Sequence, residues 1–191
     1  KNVLGMTKRA SEIIALSMSK EKYFKNSKIS IVRFGNVFGS AGSAIEIFKD
    51  QIKRNLPITL TDIKMKRFFM SIREACNLVL QASQLKYSSS IFILRMGESI
   101  KIIDIINKMF NLMKSKNQKL KIKIIGKFKS EKLNEKLSNK KLQNTSINEI
   151  NITNDKEINL KKVQNFLNNL DFFLQKLDEK NITNLLKKFT H

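Results

Sequence analysis

Apolar residues recur at helical spacing near the start of the chain and then give way to shorter apolar runs. Within residues 1–25, one helix face carries Ala10, Ile13, Ile14, Ser17 and Met18. Further on, strand-like runs alternate with helical patterns. The predicted strands cover residues 29–34, 58–60, 68–71, 90–95 and 120–125, and the predicted helices cover residues 44–54, 73–85 and 100–114. This alternation favours an α/β fold with parallel strands.

The pattern changes after residue 137. Residues 138–158 are rich in Asn, Lys, Ser and Thr and lack periodicity, which predicts a polar surface linker. Helical spacing then returns at Leu160, Val163, Phe166, Leu167 and Leu170, and again at Ile182, Leu185 and Leu186. We therefore predict an α/β domain over residues 1–137, a linker over 138–158 and a helical tail over 159–191.

Length and composition exclude several classes of protein. The chain has 191 residues, enough for one domain, and no apolar run of the length that a membrane span requires. No signal-peptide pattern opens it, so we expect a cytoplasmic location. The single cysteine, Cys76, lies on a predicted apolar helix face and is predicted to be a small core residue. The only histidine is His191, which excludes histidine-based zinc sites and serine or cysteine triads, and we expect no metal site.

The formal net charge of +21 raises the question of nucleic-acid binding. The lysines are spread along the whole chain among asparagine and isoleucine, arginines are few, and aromatic residues do not alternate with basic ones as stacking platforms require. These features disfavour a specific nucleic-acid partner, although they leave a general attraction to anions. A basic nucleic-acid-binding module remains the alternative from another functional class, and it predicts binding that is steeply sensitive to salt.

The segment with the most chemical content covers residues 33–43, which read Arg-Phe-Gly-Asn-Val-Phe-Gly-Ser-Ala-Gly-Ser. It lies between a predicted strand and a predicted helix. Its glycines allow a ligand to approach the backbone closely. The hydroxyls of Ser40 and Ser43, and the free N–H groups where the helix begins, are suited to an anion. By itself this pattern is equally typical of an ordinary loop.

Other segments on both sides complete a recognisable series. They are residues 2–9 (Asn-Val-Leu-Gly-Met-Thr-Lys-Arg), 57–62 (Pro-Ile-Thr-Leu-Thr-Asp), 65–72 (Met-Lys-Arg-Phe-Phe-Met-Ser-Ile) and 96–98 (Met-Gly-Glu). In this order and spacing, residues 2–137 resemble the extended short-chain dehydrogenase/reductase superfamily, specifically the CapD-like nucleotide-sugar 4,6-dehydratases of bacterial polysaccharide biosynthesis.

The resemblance implies the C-terminal part of an extended Rossmann-like domain, with a small substrate-binding subdomain and a helical C-terminal tail. It implies NAD or NADP as cofactor, a UDP-sugar such as UDP-N-acetylglucosamine as substrate, and a homo-oligomer at full length. No glycine-rich dinucleotide fingerprint and no Thr-Asp-Lys stretch occur in the chain. We therefore expect a portion of a longer enzyme that is inactive alone. The same motifs serve nucleotide-sugar epimerases, so that activity stays open.

The resemblance also assigns roles to individual residues. Lys8 takes the place of the catalytic lysine that holds the nicotinamide ribose, and Leu4 takes the place of the usual tyrosine base. The implied cofactor-binding residues are Lys8, Phe34, Gly35, Asn36 and Val37, and the implied substrate-binding residues are Asn36, Ser43, Thr59, Thr61, Arg67 and Glu131. The alternative interpretations are an ordinary exposed lysine at position 8, a turn asparagine at position 36 and ordinary strand threonines.

The resemblance weakens at residues 126–133, which read Gly-Lys-Phe-Lys-Ser-Glu-Lys-Leu. Phe128 stands where the family carries an arginine for the nucleotide diphosphate. Lys127 or Lys129 could supply the charge instead. This departure leaves open a copy with reduced or no activity.

Overall fold

The computed structural model of the protein describes residues 2–24, 27–87, 89–126, 137–138, 140–153 and 158–190. Its strands are β1 (Ser30–Arg33), β2 (Asn36–Val37), β3 (Ile58–Leu60), β4 (Lys66–Arg67), β5 (Phe69–Met70), β6 (Ser90–Leu94), β7 (Ile100–Lys101), β8 (Ile122–Ile124), β9 (Gln143–Asn144) and β10 (Ile150–Thr153). Its helices are α1 (Val3–Met18), α2 (Ala44–Lys53), α3 (Ile72–Gln84), α4 (Ile102–Met113), α5 (Leu160–Gln175) and α6 (Glu179–Thr190). A short 3₁₀ turn covers Lys22–Phe24.

The main sheet has the strand order β1-β6-β10-β9. β6 lies between β1, to which it is parallel, and β10, to which it is antiparallel. All five residues of β6 are buried, because it has a strand on each side. Phe92 and Leu94 of β6 pack in one core with α3 and β10. The predicted α/β class is confirmed, and the β1–β6 pair shows the expected parallel arrangement.

Residues 150–153 correct the predicted linker. They form β10, whose four residues are all buried. Ile150 and Ile152 belong to the core, whereas the polar residues between and after them are satisfied locally. The Asn151 side chain accepts a hydrogen bond from Arg95, and the Thr153 hydroxyl donates to the Lys141 carbonyl. A strand of four residues, half of them polar, is too short to produce a periodic signal.

A second layer carries two small sheets. β3 pairs with β8 in parallel, and β4 pairs with β7 antiparallel. Helices α2 and α4 pack on this layer through a separate apolar cluster that includes Phe48, Ile58 and Ile106. The strand predicted over residues 120–125 is observed as β8 in one of these sheets, and its three residues are exposed.

The C-terminal helices pack on the first helix. Phe166 of α5 and Leu186 of α6 form a core cluster with Met6 and Ala10 of α1, and the rings of Phe166 and Phe189 stack with centroids 3.8 Å apart. The predicted helical pair is confirmed. In the described part of the chain, none of the helices combines the length and apolar character that crossing a bilayer requires.

Cys76 corrects the predicted core assignment, because its side chain is exposed on α3. The buried face of this helix carries Ala75 and Ala82, seven residues apart. One residue further along a helix turns the side chain by about 100°. Cys76 therefore points away from the core.

Candidate functional site

Helix α1 presents opposite faces to the protein interior and to the open surface. Its N-cap is Asn2, whose side chain accepts a hydrogen bond from the Gly5 N–H at 2.7 Å. Met6 is buried against α5 and α6. Leu4 is 63% exposed, and Lys8, four residues on and therefore on the same face, is also exposed. The buried face of α1 therefore packs on α5 and α6, and Lys8 lies on its solvent-exposed face.

An ion pair ties α1 to the end of β1. The Arg33 guanidinium donates from Nε and Nη2 to the two carboxylate oxygens of Glu12, each at 2.6 Å. Both side chains are less than a quarter exposed. Arg33 Nη1 also donates to the Leu137 carbonyl at 3.2 Å. The loop that begins at Phe34 is thus fixed relative to the helix that carries Lys8.

The backbone of Gly35 lies in a tight gap. A Cβ atom at this position would lie 2.9 Å from the Phe68 Cβ and 3.0 Å from the Phe68 carbonyl oxygen. The Gly35 N–H points to the Met96 sulfur at 3.5 Å. Only glycine leaves room for the chain to pass between these two residues, so packing within the protein requires glycine here, whereas the sequence interpretation expected a ligand to approach it.

Asn36 is engaged with the backbone of the neighbouring segment. Its N–H and its side-chain Nδ2 both donate to the Phe68 carbonyl, at 2.9 and 3.2 Å. These bonds extend the parallel pairing of β2 with β5. The amide nitrogen of Asn36 is therefore occupied in fixing the loop, and its Oδ1 oxygen is the atom suited to a ligand.

The aromatic and aliphatic residues of this loop differ in exposure. Val37 is half-buried against the main core. Phe34 is 37% exposed, so it presents a ring surface to solvent. The ring of Phe38 stacks on Phe69, with centroids 4.6 Å apart. This stack braces the far end of the loop.

Ser43 is the N-cap of α2, yet its hydroxyl does not cap the helix. Its Oγ atom is buried and has no hydrogen-bond partner among the described residues. The two glycines before it, Gly39 and Gly42, have φ values of 78° and 70°, in the region that favours glycine. The arrangement matches the predicted combination of a glycine turn, a hydroxyl and a helix N-terminus.

The two threonines predicted to contact substrate make contacts within the protein. The Thr59 hydroxyl accepts from Gln51 Nε2 at 2.9 Å, and the Thr59 N–H donates to Gln51 Oε1 at 3.1 Å. Gln51 thereby holds β3 against α2. The Thr61 hydroxyl lies 3.5 Å from the Met65 sulfur. These contacts give Thr59 a structural role.

Arg67 lies in β4, half-buried, and its pairing partner in β7 is Ile100. Its Nη1 donates to the Lys66 carbonyl at 2.8 Å. Glu131, the remaining predicted substrate residue, lies outside the described residues, as do Lys127, Phe128 and Lys129.

Two cavities adjoin the carboxyl end of β6. The smaller, of about 280 Å³, is lined by Phe68, Ile93, Leu94, Arg95, Met96, Leu137, Ser138, Leu142 and Asn151. The larger, of about 510 Å³, lies beside α3 and is lined by Phe69, Met70, Glu74, Asn77, Leu78, Gln81, Arg95, Met96, Gly97 and Glu149. Ligands of open α/β sheets bind outside the carboxyl ends of the strands. Arg67 lines neither cavity.

Three residues that line the smaller cavity contact the loop that the sequence assigned to the site, or the arginine just before it. Phe68 binds Asn36, Met96 contacts Gly35, and Leu137 accepts from Arg33. Phe68 and Arg95 line this cavity but were not among the candidate site residues named from the sequence. The position of Arg95 directly after the predicted strand 90–95 was a usable signal, because that strand end lies at the ligand-binding edge.

The larger cavity borders a capped helix terminus. The Ser71 hydroxyl accepts from the Glu74 N–H at 3.1 Å, and the Glu74 carboxylate accepts from the Ser71 N–H at 2.7 Å. The hydrogen bond from the Ser71 backbone, followed by that with the Ser71 side chain, lowers the pKa of Glu74. The described residues contain no group of three histidine, cysteine or carboxylate side chains arranged to hold a metal ion.

Comparison with known proteins gives this geometry a context. A family model described as polysaccharide biosynthesis protein matches residues 1–157. The capsular polysaccharide biosynthesis protein CapD of Staphylococcus aureus is 43% identical over 141 residues, which cover 73% of this chain and 23% of that protein. A UDP-glucose 4-epimerase of Rickettsia canadensis is 33% identical over 136 residues, covering 71% of this chain and 39% of the enzyme.

A solved structure is similar over a larger share of the chain. The X-ray structure of Pen from Bacillus thuringiensis superimposes with a TM-score of 0.63 at 30% identity. The match covers 86% of this chain and 56% of Pen. The chain therefore spans about half the length of this neighbour and less than a quarter of CapD.

Proposed function

This chain belongs to the family of polysaccharide biosynthesis proteins, and we propose that the protein is an NAD(P)-dependent nucleotide-sugar 4,6-dehydratase. Its fold is the α/β fold of the C-terminal part of an extended Rossmann-like domain. The proposed substrate is a UDP-N-acetylhexosamine, with UDP-N-acetylglucosamine as the first candidate. The proposed net reaction removes one water across C5 and C6 of the sugar after oxidation at C4, and hydride returns at C6.

The observation that carries the proposal is the smaller cavity at the carboxyl end of β6. Its walls reach the Gly35–Asn36 loop through Phe68 and Met96. The same loop is tied to α1, and so to Lys8, through Arg33 and Glu12. These contacts join α1, the Gly35–Asn36 loop and the segment around Phe68, which supports the proposal.

The side chains on this edge fit a nicotinamide cofactor. The Lys8 ammonium is exposed on the free face of α1, where it can donate to ribose hydroxyls, and the exposed Phe34 ring can pack on a planar group. Gly35 and Val37, the other residues assigned to the cofactor, lie in the same loop as Phe34. NAD or NADP, when bound, supplies the hydride acceptor and donor for the reaction. Lys8 also places positive charge beside the reacting centre.

Substrate binding is proposed for the polar groups around the same loop. The Asn36 Oδ1 oxygen accepts a sugar hydroxyl, and the unpartnered Ser43 hydroxyl meets the nucleotide sugar at the start of α2. Arg67 supplies a guanidinium for the diphosphate, and Thr61 and Glu131 complete the set. Thr59 contributes indirectly by holding β3, because its hydroxyl is bonded to Gln51.

Epimerisation at C4 is the second candidate, and the similarity to a UDP-glucose 4-epimerase favours it. Both reactions begin with oxidation at C4, which needs a base for the proton of the C4 hydroxyl. Leu4 carries no ionisable group, so the proton of the C4 hydroxyl must pass to a side chain other than that of residue 4. The dehydratase proposal does not need a base at position 4, because another carboxylate or a lysine can accept the proton of the C4 hydroxyl.

Product analysis distinguishes the two reactions. The full-length natural protein is incubated with NAD and UDP-N-acetylglucosamine, and products are separated and weighed by mass spectrometry. We expect a product lighter by one water. A product of unchanged mass with inverted C4 configuration would replace dehydration with epimerisation. If neither product forms and calorimetry detects no UDP binding, the proposed nucleotide-sugar function is overturned altogether.

A further inference from the structure

Arg95 occupies the position directly after the central strand of the main sheet. It follows Leu94, the last residue of β6, and lines both cavities at that strand's carboxyl end. The N–H of Arg95 donates to the Glu149 carbonyl at 2.8 Å, which fixes its backbone. A long cationic side chain is therefore placed where this sheet opens to ligands.

Two amide oxygens orient the guanidinium of Arg95. Its Nη2 donates to Asn144 Oδ1 at 3.0 Å and to Asn151 Oδ1 at 3.3 Å. These asparagines are paired neighbours on β9 and β10. Because neutral oxygens hold one nitrogen, the side chain is ordered while its charge is not neutralised.

The remaining donors of Arg95 stay open. Its Nε and Nη1 groups have no hydrogen-bond partner among the residues that the structure describes. In contrast, Arg9, Arg33 and Arg54 each pair with a carboxylate. Arg95 thus differs from these three arginines: its guanidinium lines the cavity in a fixed position and is not paired with a carboxylate.

The smaller cavity places this guanidinium beside the candidate site. Arg95 shares the cavity wall with Phe68, whose carbonyl binds Asn36, and the next residue, Met96, contacts the Gly35 N–H. A ligand seated against the Gly35–Asn36 loop therefore extends toward Arg95. An anionic group such as a phosphate suits this guanidinium, because the guanidinium is charged and Nε and Nη1 can each donate a single hydrogen bond from different sides of its plane.

We propose that Arg95 is a binding residue for the diphosphate of the nucleotide sugar, an inference that rests on the proposed nucleotide-sugar function. An open N–H donor, on Nε or on Nη1, binds a phosphate oxygen, and Asn144 and Asn151 hold the guanidinium in place. Since the side chain is already ordered, little conformational entropy is lost when the ligand binds.

The test measures how much affinity each phosphate adds. Calorimetry of the full-length natural protein compares uridine, UMP and UDP, for the wild type and for Arg95→Gln. We expect UDP binding to weaken by about 10- to 100-fold in Arg95→Gln, as loss of a charge-assisted pair does, with uridine binding unchanged. Arg54→Gln is the matched control, because Arg54 is exposed and paired with Asp50. Its UDP affinity should equal that of the wild type.

A second measurement needs no variant and covers the case in which Arg95→Gln fails to fold. The wild-type protein is treated with an arginine-selective dicarbonyl reagent, and modified residues are quantified by mass spectrometry. UDP should slow the modification of Arg95 at least several-fold, and it should leave Arg54 unaffected.

The outcomes separate the two proposals. If the wild type binds UDP and neither Arg95→Gln nor the protection experiment shows an effect, the role of Arg95 is overturned and the nucleotide-sugar function stands. Equal losses of uridine and UDP binding in a folded Arg95→Gln protein would also remove Arg95 as a phosphate ligand. If the wild type binds neither UDP nor UDP-N-acetylglucosamine, both proposals fall.

Discussion

Arg33 and Glu12 form a two-point ion pair in which Nε and Nη2 each lie 2.6 Å from a separate carboxylate oxygen. The pair joins the middle of α1 to the last residue of β1. Lys8 lies one turn before Glu12 on α1, and Phe34 follows Arg33 directly. One contact therefore sets the spacing between the helix and the loop that together form the proposed cofactor side of the site.

Breaking this pair should destabilise the protein. Glu12→Gln leaves the Arg33 charge partly buried with weakened acceptors, and we expect a loss of about 2 kcal/mol in the free energy of unfolding. Urea denaturation followed by circular dichroism measures it. Asp50→Asn is the matched control, because the pair of Asp50 with Arg54 is 60–66% exposed and should contribute less than about 0.5 kcal/mol. Equal effects of the two substitutions would contradict the bracing role of the Glu12 pair.

Gly35→Ala should disturb the loop by direct collision. The new Cβ would lie within about 3 Å of the Phe68 carbonyl oxygen, a backbone atom that cannot rotate away. We expect a destabilisation of about 1–3 kcal/mol together with weaker binding of UDP-N-acetylglucosamine. Gly42→Ala is the comparison, since a Cβ there meets no atom within 4 Å and only its φ of 70° opposes alanine. If Gly35→Ala left both the stability and the ligand affinity unchanged, the gap between Gly35 and Phe68 would be wider than the structure indicates.

The sequence predicted the elements that have their own periodicity. The alternating strands and helices over residues 29–114 and the helices after residue 159 carry enough apolar positions to signal their type. β10 does not, because Ile150 and Ile152 are separated by a buried asparagine whose partner, Arg95, lies 56 residues away. A short strand that depends on a distant side chain for its polar group is not visible in local sequence.

Phe166→Ala should weaken the packing of α5 and α6 against α1. Phe166 is 3% exposed, packs with Met6 and stacks on Phe189, so removing its ring leaves a cavity. We expect a loss of about 3–5 kcal/mol in the free energy of unfolding. Phe172→Ala on the same helix provides the control, because Phe172 is 49% exposed and its ring interacts with the nearby side chains of Phe173 and Lys176. A small effect of Phe166→Ala would mean that α5 and α6 do not support α1 in solution.

The capping box at α3 predicts a pH dependence. The hydrogen bond from the Ser71 backbone lowers the pKa of Glu74 in the folded protein. A lowered folded pKa means that the ionised carboxylate stabilises the fold above the unfolded pKa and that this contribution is lost as the pH falls through the folded pKa. Relative to Glu74→Gln, the wild type should therefore be more stable at about pH 6, and the difference should shrink toward about pH 3. Thermal unfolding of both proteins across this range measures it, and a constant difference would exclude the ionised cap.

The residues that the sequence assigned to the site remain predictions, and the structure shows what each one contacts. Gly35 passes between Phe68 and Met96, a packing reason for glycine that residue type alone did not indicate. Thr59 was assigned to the substrate, whereas its hydroxyl accepts a hydrogen bond from Gln51, eight residues earlier. The sequence did not single out Arg95, because its orientation depends on two asparagines that approach only when β9 and β10 join the sheet.

The face of α1 that carries Leu4 and Lys8 gives the most direct test of the proposed chemistry. Lys8→Ala in the full-length natural protein should abolish hydride transfer, because the ammonium holds the ribose and stabilises charge at the reacting centre, an effect of several kcal/mol on the barrier. Leu4→Ala should retain most of the rate, since Leu4 is 63% exposed and can contribute only apolar contact. The measurement is NADH absorbance in a single turnover with UDP-N-acetylglucosamine, with circular dichroism to verify folding.

Leu4→Tyr sharpens this test, because it restores a phenol four residues before Lys8 on the same helix face. We expect no gain in rate, since the proposed reaction already passes the sugar hydroxyl proton to another group. A clear gain would show that position 4 lies within reach of the sugar and that a base at this position limits the reaction. If Leu4→Ala lost activity as completely as Lys8→Ala while remaining folded, the assignment of α1 as the helix that carries the catalytic lysine would be wrong.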